Sequence, residues 1–149
     1  MAKEKDKKKR SQEELQRELQ EKYMEYQMIE EQTKQMNEQL QTFEKQIEEL
    51  DSIKEALKSI KDTKAGTELF VPISSGIFIK AEIKETKELL VNVGDNVIVP
   101  KTIDDAVKLV KKQQDDIKEY KEKVMQNTEM LMLHGKKIEQ DVLKLAQEQ

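Results

Sequence analysis

Alternating intervals of four and three residues from Leu15 pass through Leu15, Leu19, Lys22, Tyr26, Ile29, Thr33, Met36, Leu40, Phe43, Ile47, Leu50, Lys54, Leu57 and Lys61, and ten of these fourteen positions are apolar. From Ile103 a second column at seven-residue spacing is apolar throughout: Ile103, Val110, Ile117, Val124, Leu131, Ile138 and Leu145. Its companion column, Val107, Gln114, Lys121, Thr128, Gly135, Val142 and Gln149, is mostly polar. A repeat of about 3.5 residues held this long keeps one helix stripe facing a partner helix, so both stretches are predicted to be long helices of an antiparallel coiled-coil hairpin.

Between them the period changes. Leu69-Phe70-Val71, Ile77-Phe78-Ile79, Leu89 to Val93 and Val97-Ile98-Val99 are short β-branched and aromatic runs, separated by Pro72 to Gly76, by Lys84 to Lys87 and by Gly94-Asp95. This predicts four strands in two β-hairpins. Their apolar residues are consecutive, the pattern of strands covered on both faces. The roughly thirty-five residues of Thr67 to Lys101 are too few to cover their own sheet. The expectation is an oligomer held through β-structure, with Leu69, Phe70, Val71, Ile77, Phe78, Ile79, Ile83, Leu89, Val91, Val93, Val97, Ile98 and Val99 at the joint.

Local signals place the boundaries. Ser11 with Glu14 has the spacing of a capping box, so the first helix should start near Gln12. Gly66 can close its C-terminus in the left-handed conformation, which puts the stop around Asp62 to Lys64. Pro100, then Thr102 with Asp105 three positions on, should open the second helix. The chain thus divides into a basic arm (1–10), an N-terminal helix (11–64), a two-hairpin insert (65–101) and a C-terminal helix (102–149). The fold class is mainly α with a small β insert.

Composition narrows the function. Charged residues are 39% and hydrophobic ones 36%, a balance that suits solvated helices better than one large core. No apolar run approaches the roughly 20 residues of a membrane span, and the basic start leads into Glu and Gln rather than an apolar segment. A soluble cytoplasmic protein is expected, with no membrane partner. Residues 1–10 carry a local +4 that leaves −8 on the remainder of a chain whose net charge is −4. With no aromatic residue in it for base stacking, this arm reads as a disordered, solubilising tail, and nucleic acid is not an expected partner.

Candidate chemistry is sparse. There is no cysteine, and His134 is the only histidine, which argues against a metal centre. The carboxylates alternate with lysines, as in Glu44 and Glu48 around Lys45, the pattern of solvated helix faces. Val93-Gly94-Asp95-Asn96 is a turn between strands, not a phosphate loop. No catalytic residue, metal or cofactor is expected, and the chain is not read as an enzyme.

Where the helices begin and end, the seam loses its discipline. Between Glu30 and Ser52 every apolar residue lies on it, whereas Tyr23, Met24, Met28, Met130, Met132, Leu133, Leu143 and Ala146 all fall off it. With Leu15, Leu19, Val142 and Leu145 at the same end, these residues form a candidate interaction surface, or else pack within the tip or against another subunit. Ile53, Ala56, Ile60, Ala106 and Leu109, also off the seam, should support the base of the insert. Gly135 on the seam either loosens the coil or lets the helices approach closely.

Helix, two hairpins and helix, with Val71-Pro72-Ile73-Ser74-Ser75-Gly76-Ile77-Phe78-Ile79-Lys80-Ala81-Glu82-Ile83 followed by Leu89 to Val99, resembles the α-type subunits of the archaeal prefoldin family from Ser11 to about Leu145. The insert carries the resemblance; the coiled coil is generic, and residues 1–10 lie outside it. The resemblance implies a heterohexamer with prefoldin β subunits, two α plus four β, whose hairpins build intersubunit β-barrels from which the coiled coils hang. It further implies an ATP-independent chaperone that holds non-native polypeptides at the coiled-coil tips and passes them to a group II chaperonin. On that basis Leu15, Leu19, Tyr23, Met24, Met28, Met130, Met132, Leu133, Val142, Leu143, Leu145 and Ala146 become client-binding candidates. A coiled-coil tether or scaffold without affinity for unfolded proteins would explain the seam equally well.

Overall fold

Both heptad stretches are helical. The structure, a computed structural model, describes residues 12–147; the basic arm and Ser11 of the expected capping box lie outside the described residues. The order is α1 (Gln12–Lys61), β1 (Glu68–Ser74), β2 (Ile77–Glu82), β3 (Leu89–Asn92), β4 (Ile98–Lys101) and α2 (Ile103–Gln147). The chain forms two compact units, one of residues 42–120, which holds the hairpins, and one that holds the helix ends, with described residues 12–41 and 121–147. Each helix contributes to both.

Burial follows the seam. In the hairpin unit Phe43, Ile47, Leu50, Lys54 and Leu57 of α1 are half-buried, opposite Ile103, Val107, Val110, Gln114 and Ile117 of α2. In the helix-end unit Leu15, Ile29, Ile138 and Leu145 are buried, and Ile138 is only 1% exposed. The mostly polar companion column is buried too, Gln114 at 3% and Thr128 at 4%. Thr128 satisfies its hydroxyl by donating to the Val124 carbonyl at 2.8 Å. The Gln114 amide donates to the Ile47 carbonyl and its Oε1 accepts from Lys54 Nζ, each at 3.3 Å. Polarity therefore did not exclude these positions from the interface. A single short polar side chain can be satisfied there by a carbonyl one turn away or by the facing helix.

The helix ends show one correction. Thr102 caps α2 as its pattern predicts: its Oγ1 accepts from the Asp105 N–H at 3.2 Å and its carbonyl from the Ala106 N–H at 2.9 Å. Gly66 has the expected positive φ, 89°, yet it does not cap α1. The helix stops at Lys61, and Thr63 closes it, Oγ1 donating to the Ser59 carbonyl at 2.7 Å and N–H to the Ile60 carbonyl at 3.1 Å. Gly66 sits in the next turn, where its N–H donates to the Ile83 carbonyl at 2.7 Å and ties the linker to the end of β2. Lys61, placed on the seam by periodicity, is exposed and bridges to Asp104 at 2.7 Å, and Ile60 is half-buried instead.

The insert folds as two separate antiparallel hairpins, β1–β2 and β3–β4. Val71 opposes Ile79, Leu69 opposes Ala81, and Val91 opposes Val99. Two prolines expected outside the strands lie inside them: Pro72, placed by the sequence between the first two strands, is in β1 opposite Phe78, and Pro100, expected to open the second helix, is in β4 opposite Leu90. Every strand of a two-stranded sheet is an edge, so a residue without an N–H can turn its empty side outward. In the second hairpin Gly94, Asp95 and Asn96 all have positive φ (120°, 49° and 59°), a conformation that Asp and Asn tolerate through local hydrogen bonding. The Asn92 side chain accepts from the Gly94 N–H at 3.0 Å.

Every residue of β1 is exposed, and so are Ile77, Phe78 and Ile79 of β2. One face of the second hairpin is the better covered, with Leu89, Val91 and Val99 half-buried and Leu90 78% exposed. Leu89 and Val91 face a groove of about 450 Å³ that Leu57, Ala106 and Leu109 also line. Of the residues expected to support the insert's base, Ala106 is buried and Ile60 and Leu109 are half-buried, but Ile53 and Ala56 are exposed. Ile53 lines the same groove.

Candidate interaction surface

The helix-end unit presents an exposed apolar surface of its own. The seam turns Leu15, Tyr26 and Ile29 inward, and the residues one or two positions off it necessarily point out. Tyr23, Met24 and Met28 on α1 are more than half exposed, as are Met130, Leu133 and Leu143 on α2, with Leu133 at 67%. Met132 is 49% exposed, and Ala146 is exposed. The remaining candidates lie in the seam, a correction to the expected surface: Leu15 and Leu145 are buried, and Leu19 and Val142 half-buried, because the seam positions face the other helix.

Gly135 is a point of close approach. α2 runs unbroken through it, and a Cβ built there would stand 3.1 Å from Ile29 Cγ2. Beside this crossing an open groove of about 580 Å³ is lined by Tyr26, Ile29, Thr33, Met132, Gly135 and Glu139. A smaller crevice of about 190 Å³ brings together Tyr23 and Tyr26 of α1 with Val142 and Leu143 of α2.

Charge borders this surface. Glu25 accepts from Lys22 Nζ at 3.2 Å and lies 3.3 Å from His134 Nε2. The lysine, with a smaller contribution from the histidine, holds the Glu25 carboxyl below the usual carboxylate value. Beside it the negative charge of Glu30 raises the Tyr26 phenol. His134 is thus an exposed side chain with a carboxylate neighbour across the helix pair. Among the described residues no group of three or more His, Cys, Asp or Glu is placed to hold a metal ion.

Periodicity alone passed over Met125, which is 38% exposed. Its signal was available, since it lies one heptad before Met132 on the same off-seam stripe. In the hairpin unit the candidates for assembly lie on and beside the two hairpins. Phe70 and Phe78 line one shallow pocket with Gly76, and Lys80 pairs with Glu68 at 2.8 Å on the same hairpin.

A family model described as prefoldin subunit matches residues 29–148. The prefoldin subunit alpha of Thermofilum pendens is 29% identical over 118 residues, 79% of this chain and 92% of that protein. The corresponding subunit of Methanopyrus kandleri is 28% identical over 118 residues, 79% of this chain and 75% of that protein. In fold, the chain is similar to one in the cryo-EM structure of filamentous PFD from Methanocaldococcus jannaschii. The TM-score is 0.70 at 17% identity, covering 76% of this chain and 93% of that one.

Proposed function

The chain belongs to the prefoldin family, which carries a chaperone-type function, and we propose that it is an α-type subunit that holds non-native polypeptides without ATP. The observation that carries this reading is the exposed apolar surface of the helix-end unit, rich in methionine and bordered by charge. Unfolded chains share apolar side chains but no common shape. A surface of unbranched, polarisable thioethers fits that requirement because it can repack around each client. Large apolar residues left in water at this density also point to a binding role, since scattered single ones would not.

The insert supplies assembly in this reading. Hairpins that are apolar on both faces and unpaired at every edge are completed by strands of neighbouring subunits, here prefoldin β subunits in a two-to-four complex. Among the described residues no helix is long and apolar enough to cross a membrane, which fits a cytoplasmic assembly. Held clients then pass to a group II chaperonin, and no catalytic step is needed at any point.

The test mixes the assembled complex with a diluted, denatured protein in the absence of ATP and follows light scattering. The wild-type complex should suppress aggregation. Polar replacement of Met24, Met28, Met130, Met132 and Leu133 together should weaken suppression while the complex keeps its size. A wild-type complex without effect on scattering would favour a coiled-coil tether, and undiminished suppression by the five-fold variant would move client binding away from this surface.

A further inference from the structure

The methionines among the described residues are sorted into one unit. The chain has no cysteine and seven methionines, none of them between residues 37 and 124. Every methionine among the described residues (Met24, Met28, Met36, Met125, Met130 and Met132) therefore belongs to the helix-end unit. Of these six, only Met36 is drawn into the seam as a half-buried residue, and the others are 38–62% exposed. Met24 and Met28 stand one turn apart on the same face of α1.

We propose that Met24, Met28, Met130 and Met132 form a reversible oxidative modification site that switches off the client-binding surface, an inference that rests on the holding function proposed above. A two-electron oxidant such as hydrogen peroxide supplies the oxygen. The thioether sulfur lone pair attacks one peroxide oxygen, the O–O bond breaks and a sulfur–oxygen bond forms. Proton transfer releases the other oxygen as water. Sulfur is oxidised by two electrons and the peroxide reduced by two. The product sulfoxide is polar and chiral, and methionine sulfoxide reductases return it to the thioether at the expense of a dithiol that becomes a disulfide.

Three features make this arrangement responsive. Exposure places the sulfurs in reach of solvent oxidants. The absence of cysteine leaves no thiolate in the chain to consume oxidant first. The hairpin unit contains no methionine, so its apolar strands are untouched by the same chemistry. Oxidation thus converts the holding surface and leaves the assembly surface as it was.

The experiment treats the assembled full-length complex with hydrogen peroxide and maps oxygen addition to each methionine by peptide mass spectrometry. Size and suppression of aggregation are measured on the same samples. Met24, Met28, Met130 and Met132 should oxidise before Met36, suppression should fall at least about fivefold as polar sulfoxides replace apolar contacts, and the complex should keep its size. Reductase treatment should restore suppression. A complex carrying leucine at all four positions, referred to its own untreated level, should lose little on the same treatment. The inference is overturned if Met36 oxidises as fast as the four, if fully oxidised wild type retains its suppression, or if the leucine variant loses as much as wild type. Failure of the untreated wild type to suppress aggregation would instead refute the holding function, and this inference with it.

Discussion

Gln114 is the seam position where chemistry and burial disagree most, and replacing it by leucine gives a prediction with a worked sign. The side chain is 3% exposed and makes two hydrogen bonds to α1, both 3.3 Å long. Bonds of that length lie beyond the usual 2.9–3.0 Å optimum, so the one to the Ile47 carbonyl falls at the weak end of the ~0.5–1.5 kcal/mol range and the one from the Lys54 ammonium at the weak end of the ~1.5–3 kcal/mol range for charged partners, about 2 kcal/mol for the two. Gln114→Leu leaves neither partner stranded. Lys54 keeps Asp51 at 2.8 Å and has access to water, and the Ile47 carbonyl lies within α1, where the helix ladder supplies a donor. Burying a leucine side chain contributes about 1.5–3 kcal/mol.

The balance favours leucine by up to about 1 kcal/mol, which in a chain of 149 residues corresponds to a rise of at most about 2–4 °C in the thermal midpoint. Urea denaturation followed by helical circular dichroism measures it at fixed chain concentration. Gln114→Ala, which loses the bonds and fills nothing, should shift the midpoint the other way. A second readout is Asp51, whose carboxyl is held below its ordinary value by Lys54 first and by Gln114 second. In the leucine variant its titration should move part of the way back up. The reasoning is refuted if Gln114→Leu lowers the urea midpoint at unchanged m-value. In that case Gln114 is worth more than its bonds, as a polar residue that pins the register of the two helices.

Other perturbations test other parts of the fold. Gly135→Ala should stabilise by up to about 1 kcal/mol through helix propensity, because the 3.1 Å approach to Ile29 Cγ2 can relax into the adjoining groove; a lower melting temperature would show that Ile29 cannot move. Lys61 holds the Asp104 carboxyl below its ordinary 3.8, so this pair's contribution is present above that value and is lost as pH falls through the lowered one. The difference between wild-type and Asp104→Asn midpoints should close at acid pH, and a constant difference would contradict the pairing. Asp104 in turn raises Lys61 above 10.5, and the same difference should close again once pH passes that raised value. Glutamate at Phe78 and Val91 should leave the helices folded but prevent assembly, checked by light scattering of the purified complex; a complex of normal size would place the subunit contacts elsewhere.

The heptad pattern made the two helices and their pairing legible, and the loss of that period in favour of short β-branched and aromatic runs did the same for the two hairpins, because each depends on spacing that a single chain displays in full. What escaped it involved satisfaction of polar groups by elements distant in sequence. Gln114 and Thr128 looked like interruptions of the seam, and only the Ile47 carbonyl across the helix pair and the Val124 carbonyl one turn back show how such residues are accommodated inside it. Gly66 had the right conformational freedom for a cap, but the carbonyl it answers belongs to Ile83, beyond the first hairpin. The candidate surface was legible for a related reason. Tyr23, Met24, Met28 and Leu133 break the pattern without any polar partner being required, so their exposure follows from the helical period alone. Leu15 and Leu145 obey the pattern, and the same period that predicts a surface for the first group assigns these two to the interior. The surface is therefore carried by the residues that violate the repeat, and a variant that restores strict heptads there should gain coiled-coil stability and lose holding activity together.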